Sequence, residues 1–327
     1  MAIHKRSSTK SKHNIGFWVF VAAIILSVVL AYNYAKTETS PSSASVIGLF
    51  GQYYIATDGN DLTGNGSYSN PLRTINKAIS LALPNQVTYI YPKGNLLLSP
   101  MEYPQSSVTV ISGGKDIRIT RPPALFSLVT PSISAAEWAG SFVIEVRSAS
   151  LAISQLGFDR VRWDLRAGEN SRIEIIKNRL FYTQPKEGEQ SLPGKILVRT
   201  AHKSSVTNIA ENQFLLADLR AECCSVNGLQ IMHQQTGIVN VTKNLFQYPY
   251  VNKRLGPKLE YEGIMLWRNA AGSGEGVNIA GNIFNTLGFS PLGPKTVQDF
   301  GIALAGAKNI TMFQNDFSRF LGTPVRP

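Results

Sequence analysis

Cysteine is nearly absent from this 327-residue chain, which has only Cys223 and Cys224, side by side. Two thiols cannot build a disulfide-dense scaffold or a four-cysteine zinc site, and a bridge between neighbours is strained, so both read as reduced or buried thiols. Neither has an evident base partner that would make it a nucleophile. Histidine is scarce too, and His4, His13, His202 and His233 show no metal-ligand spacing. Charged residues make up 16% of the chain, against roughly 25% in ordinary soluble domains. A chain so poor in charge, yet 43% hydrophobic with 15 Phe, 12 Tyr and 4 Trp, is not a disordered one. It suits buried strands and short polar turns better than solvated helices.

Charge is missing altogether from Ile15 to Tyr32. At ~1.5 Å per residue this run nearly spans a hydrocarbon core of ~30 Å. Lys5, Arg6, Lys10 and Lys12 precede it and only Lys36 and Glu38 follow closely, which holds the N-terminus in the cytoplasm. Trp18, Tyr32 and Tyr34 suit the two interfacial aromatic belts. A cleaved signal peptide ending near Val29-Leu30-Ala31 is the alternative, but the run is long for an h-region of about 7–15 residues. The expected organisation is a cytoplasmic basic tail (1–14), a transmembrane signal anchor (15–35), a polar linker (36–50) containing the Ser/Thr/Pro tether Thr37 to Ser45, and one elongated domain (51–327) outside the membrane. Removing the tail's four bases from the net +11 leaves +7, too mild to argue for nucleic acid, and no basic-aromatic nucleic-acid module is present.

From about residue 150 one short phrase recurs: aliphatic-x-x-Asn-x-aromatic or Leu. Its copies centre on Asn178, Asn212, Asn244, Asn282 and Asn315, with a degenerate first copy at Ile153-x-x-Leu156-x-Phe158. Alternating apolar residues before each Asn give strand periodicity, and a second strand precedes each copy: FVIEV, VRWDL, KILVR, LQIMH, GIMLW and GIALA. The unit is strand, turn, strand, Asn turn, strand, with no helix between strands, so βαβ folds are disfavoured. Such repeats stack as a parallel β-helix solenoid, all-β in class. Asn is expected to supply the left-handed turn geometry and, coil upon coil, a ladder of side-chain hydrogen bonds. At the N-terminal end Ile75, Ala78, Ile79 and Ala82 define one apolar helix face between Pro71 and Pro84, a short cap for the solenoid.

Together with the opening segment Tyr53-Tyr54-Ile55-Ala56-Thr57-Asp58-Gly59-Asn60-Asp61, Gly64 and Asn70-Pro71-Leu72-Arg73-Thr74-Ile75, these repeats resemble the right-handed parallel β-helix proteins of the pectate-lyase-like superfamily over about residues 53–320. The chain departs where the family usually continues with a Gly-Asp-Thr strand, having Pro84-Asn85-Gln86-Val87 instead. The resemblance implies a groove for acidic polysaccharide on one sheet, and calcium only by analogy; nothing in the sequence itself requires a cofactor. The chain has no Asp-Pro-His-Asp, no Asn-Thr-Asp with paired Asp and His-Gly, and no Arg-x-Pro-x-x-Arg, the signatures of the family's epimerases, polygalacturonases and calcium-dependent lyases.

Alternation along the first strand of each coil nominates the groove. Val161, Trp163 and Leu165 would point inward and Arg160, Arg162, Asp164 and Arg166 outward, with Glu145 and Arg147 on the preceding coil and Lys195 and Arg199 on the next. In the following two coils the phase is open: Gln230, Met232 and Gln234 or else His233, then Met265 and Trp267 or else Arg268. Candidate catalytic residues are Arg162, Asp164, Lys195, Arg199 and Glu145; candidate substrate contacts are Arg166, His233, Trp267 and Arg268; no metal ligands are named. β-Elimination needs a base and cationic neutralisation of a carboxylate, for which Arg162, Arg166, Lys195 or Arg199 would serve. Hydrolysis needs two carboxylates, and Glu145 with Asp164 is the one pair on neighbouring coils. The competing reading is that these charges form a plain solvated sheet face. Whether the chain is an enzyme is therefore open, with lyase or epimerase ahead of hydrolase and a non-catalytic adhesin or envelope assembly factor as the alternative.

Asp58, Asn60 and Asp61 read as a turn in preference to a calcium loop. Asn65-Gly-Ser, Asn240-Val-Thr and Asn309-Ile-Thr match the glycosylation pattern, the last two inside expected strands. The expected partners are acidic polysaccharide and the lipid bilayer through residues 15–35, without nucleic acid. A partner, second copy or terminal loop is expected to shield the last coil's open edge.

Overall fold

The computed structural model describes residues 51–98, 108–123, 130–135, 142–159, 161–181, 195–200, 202–216, 225–233, 237–248, 260–268, 276–287, 299–307 and 309–327. The chain divides into two units, Met1–Val46 and Ile47–Pro327. The expected signal anchor and most of the linker fall in the first, outside the described residues. No helix among the described residues is long and apolar enough to cross a membrane.

The described strands form three parallel sheets of eight, nine and eight strands, and from Val87–Pro92 onward successive strands in the chain visit them in turn. One coil illustrates the rule. Arg162–Ala167 joins the first sheet, Arg172–Ile176 the second and Arg179–Phe181 the third. The next coil repeats this with Lys195–Thr200, Val206–Ala210 and Gln213–Leu215, each paired in parallel with its counterpart. This is the three-strand parallel β-solenoid expected from the repeat, and the Asn phrase falls at the corner between the second and third sheets.

Packing follows from alternation. In the second sheet Ile153, Ile175, Ile209, Val241 and Ile279 stand in register and are buried, one aliphatic rung per coil. In the third sheet the phrase's last position stacks ring upon ring: Phe214, Phe246, Phe284 and Phe317, with centroids 4.7, 5.0 and 4.6 Å apart and planes within 10° of parallel. Each such side chain contributes about 1.5–3 kcal/mol by leaving water, and each coil's burial depends on its neighbours.

The Asn residues do form the ladder. Asn244 Oδ1 accepts from the backbone N–H and the Nδ2 of Asn212 at 2.9 and 3.0 Å, while Asn244 Nδ2 donates to Ile209 O and to Asn282 Oδ1 at 2.9 and 3.0 Å. The pattern runs from Asn178 to Asn315. It ends at Leu156, whose N–H donates to Asn178 Oδ1 because that coil has no amide to offer. One part of the expectation is corrected. The left-handed backbone belongs to the residue before each Asn, namely Lys177, Glu211, Lys243, Gly281 and Gln314, and to Gln155 before Leu156 in the degenerate copy, with φ between 53° and 62°. The turn and the ladder are thus separate tasks on adjacent residues.

At the N-terminal end the helix Ile75–Leu81 buries Ile75, Ala78 and Ile79, with Thr74 as N-cap. Asp61 holds this start in place: its Oδ1 accepts from the N–H groups of Arg73 and Thr74 and its Oδ2 from the Thr74 hydroxyl. Asn60 Oδ1 accepts from Leu62 and Thr63, so both side chains serve the turn. Asn240 lies in the strand Ile238–Thr242, its amide bonded to Asn208 and Asn278. Asn309, by contrast, stands in a left-handed turn before Thr311–Phe313 and not in the strand, because φ of 58° breaks strand geometry there.

At the other end the chain after Phe317 supplies cover of its own. Phe320 turns in against Tyr248 at 4.6 Å, and Thr323–Arg326 adds the last strand to the first sheet. Met312 and Phe313, on the edge strand of the second sheet, stay exposed.

Candidate functional site on the outer face of the first sheet

Val161, Trp163 and Leu165 are buried, as alternation required, and Arg162 and Arg166 lie half-exposed on the opposite face. The open phase in the next coils is settled by burial. Leu229, Ile231, Ile264 and Leu266 point into the core, so Gln230, Met232, Met265 and Trp267 take the outer face. His233 and Arg268 pair with each other through the backbone, and their side chains lie outside the described residues, as does that of Lys195. Arg160 and the loop bases Lys253, Arg254 and Lys258 lie outside them altogether.

Strand register sorts most of the outer residues into two rows along the solenoid, with Arg162 in neither, at the register position of Lys195. Glu145, Arg166, Arg199, Met232 and Trp267 are successive partners in one. Val143, Asp164, Leu197, Gln230, Met265, Ala303 and Arg326 form the other.

Asp164 is the centre of the charged half. It is 4% exposed, and Arg199 donates through Nε to its two oxygens at 3.0 and 3.3 Å. Arg166 Nε stands 3.9 Å from the same carboxylate. Arg199 also points Nη1 at Met232 Sδ, 3.2 Å away. Glu145 is held by Arg147 through Nε at 2.7 Å and the terminal nitrogen at 2.6 Å. Four guanidiniums against two carboxylates leave this patch with two net positive charges, counting described side chains. Arg162 and Arg166 each keep a buried Nε with no hydrogen-bond partner. A buried donor without an acceptor costs about 1–3 kcal/mol, and it is the half-exposed remainder of each side chain, not this buried nitrogen, that faces anions in solvent.

The residues therefore converge in part. Asp164, Arg166 and Arg199 meet directly; Arg162 and Lys195 are partners in backbone register; Glu145 is turned toward Arg147. The hydrolytic pair is unfavourably set, since each carboxylate already serves as an arginine's counter-ion. Arg199, with its Nε given to Asp164, acts as a holding cation and not as a base.

At the far end of the face the structure reveals what the sequence did not suggest. Arg326 lies over the Phe300 ring at 4.4 Å and pairs with Glu262, which is fully buried. The two are 64 residues apart, and no local pattern announces such a pair. Behind it, burial first and then the Asp299 and Glu262 charges push the Tyr248 hydroxyl well above its ordinary value, and it donates to Phe300 O at 2.9 Å.

No family model and no curated protein matches the chain. Two solved structures are similar to it. ORF18 of Geobacillus virus E2 is 10% identical with a TM-score of 0.35, over 81% of this chain and 59% of that one. A rhamnogalacturonan lyase is 12% identical with a TM-score of 0.24, over 84% of this chain and 62% of that one. The chain thus spans about three fifths of each, and likenesses at these scores are too low to add to what the strands themselves show about the fold.

Proposed function

We propose that this chain is a membrane-anchored, extracytoplasmic right-handed β-helix protein of pectate-lyase-like type, whose first sheet binds an acidic polysaccharide along its outer face. The observation that carries the reading is the net positive patch formed by half-exposed Arg162 and Arg166 beside the Arg199–Asp164 ion pair. A sugar carboxylate supplies a counter-ion for this patch through charge-assisted hydrogen bonds. Trp267, 47% exposed, offers a ring face for stacking farther along the same row.

Binding is the role these residues support best, as in an adhesin or an envelope assembly factor. Lyase or epimerase turnover on the same face requires a base, and Lys195, in register with Arg162, is the residue assigned to it. The anchor at 15–35 holds the domain at the membrane surface. Exposed Met312 and Phe313 mark the edge where a partner or second copy would pair.

The test is titration of the full-length protein with polyuronates and with a neutral glucan. Saturable, salt-weakened binding of the polyuronates alone supports the reading. Failure to bind any acidic polysaccharide rejects it. Release of an unsaturated uronate, followed by ultraviolet absorbance and lost in Lys195→Met, would move the protein from binder to lyase. Extraction of the full chain from membranes by alkaline carbonate would reject the retained anchor.

A further inference from the structure

The outer face of the first sheet is not uniform along the solenoid. Its described guanidiniums, Arg147, Arg162, Arg166 and Arg199, sit on three successive coils. The next two coils present Gln230, Met232, Met265 and Trp267 on the same face, with no charge among them. The next described cation on this face, Arg326, is matched by Glu262. His233 and Arg268 follow Met232 and Trp267 by one residue, and their side chains lie outside the described residues.

Resting on the reading above, we infer that the ligand is a heteropolysaccharide held in one direction, with an acidic sugar on the coils of Arg162, Arg166 and Arg199 and a neutral, methyl- or acyl-bearing sugar on the coils of Met232, Met265 and Trp267. From Arg166 to Trp267 is three strand steps, about 14 Å at ~4.8 Å per strand. A ligand crossing that span meets both surfaces at once. Thioethers are polarisable and adaptable partners for methyl and acyl groups, and an exposed indole stacks on an uncharged sugar face. A homopolyuronate would instead lay carboxylates over Met265 and Trp267, where they lose water and gain no cation among the described side chains. The methionine coils therefore select against a continuous polyanion as well as for the mixed polymer.

The experiment is calorimetric titration of the full-length protein in nanodiscs with three probes of equal length: an oligosaccharide alternating uronate and 6-deoxyhexose, a homo-oligouronate and a neutral glucan. The alternating probe is expected to bind about tenfold tighter than the homo-oligouronate. Trp267→Ala should weaken the alternating probe about tenfold and leave the homo-oligouronate within about twofold. Met265→Lys should reverse the preference. Equal affinity for the two acidic probes, or preference for the homo-oligouronate in the parent protein, overturns this inference and leaves polysaccharide binding standing. Binding of neither acidic probe overturns both.

Discussion

Replacing Asn244 by Ala tests how the solenoid keeps its coils in register. Asn244 is fully buried and its side chain makes four hydrogen bonds, to Asn212 N–H, Asn212 Nδ2, Ile209 O and Asn282 Oδ1. Asn282 Oδ1 keeps the bond from the Asn244 backbone N–H at 3.0 Å and Asn212 Nδ2 keeps its bond to Ile175 O at 2.8 Å, so truncation strands two buried groups, Asn212 N–H and Ile209 O. At about 1–3 kcal/mol for each stranded group, less what relaxation recovers, the loss should be about 4 kcal/mol. Asn315 occupies the last rung, half-buried, and accepts from Asn282 N–H and Nδ2 while donating to Ile279 O. Water reaches that rung, and Asn315→Ala should cost about 1 kcal/mol. Urea unfolding gives the overall difference. Because repeat arrays depart from two-state behaviour, native-state hydrogen exchange at the Asn212 amide, which loses its acceptor only in Asn244→Ala, gives the local one. Equal costs for the two substitutions, or less than about 1 kcal/mol for Asn244→Ala, would refute the ladder as a register device.

The corner and core glycines separate backbone from packing effects. Gly281 is left-handed and an added Cβ would make only an ordinary contact with Lys243 Cγ at 3.8 Å, so Gly281→Ala should cost about 1 kcal/mol by thermal unfolding. At Gly263 a Cβ would meet the Tyr248 hydroxyl and, at 2.9 Å, both Gly301 O and Phe284 Cε1, so Gly263→Ala should cost about 3 kcal/mol. Tyr248 makes the fold alkali-sensitive: its folded value is raised above 10.0, so its contribution is full below pH 10 and is lost as the unfolded phenol ionises. Stability should fall by about 1.4 kcal/mol per pH unit above pH 10 from this residue, and a pH series of urea midpoints should be flatter by that slope in Tyr248→Phe. Arg199→Ala removes the main partner of buried Asp164 and should cost about 2 kcal/mol, discounted because Arg199 is partly solvated; Asp164→Asn should recover most of that in the double variant.

Fold and site were legible to different degrees. The phrase around Asn178, Asn212, Asn244, Asn282 and Asn315 carried the coil, the corner and the ladder, because buried amides and stacked rings leave a period in the sequence. It misassigned the turn, since Lys177, Glu211, Lys243 and Gln314 adopt the left-handed conformation without any residue-type signal; only Gly281 shows it. On the first sheet, alternation placed Trp163 and the arginines correctly, where charged and apolar residues strictly alternate. It could not phase LQIMH or GIMLW, where both faces are largely apolar and only burial separates Met232 from Ile231 and Trp267 from Leu266. The Arg326–Glu262 pair was invisible because it joins two coils through the sheet and not through neighbouring residues.

The claim that an acidic glycan lies along the first sheet is tested most directly by the heat of binding during calorimetric titration of the full-length protein with polyuronate, set beside Arg166→Gln and a neutral glucan. The account predicts saturable binding in the parent protein that added salt weakens, that Arg166→Gln lowers about tenfold in affinity, and that the glucan does not produce. No saturable heat with polyuronate, or an equal one with the neutral glucan, would contradict it.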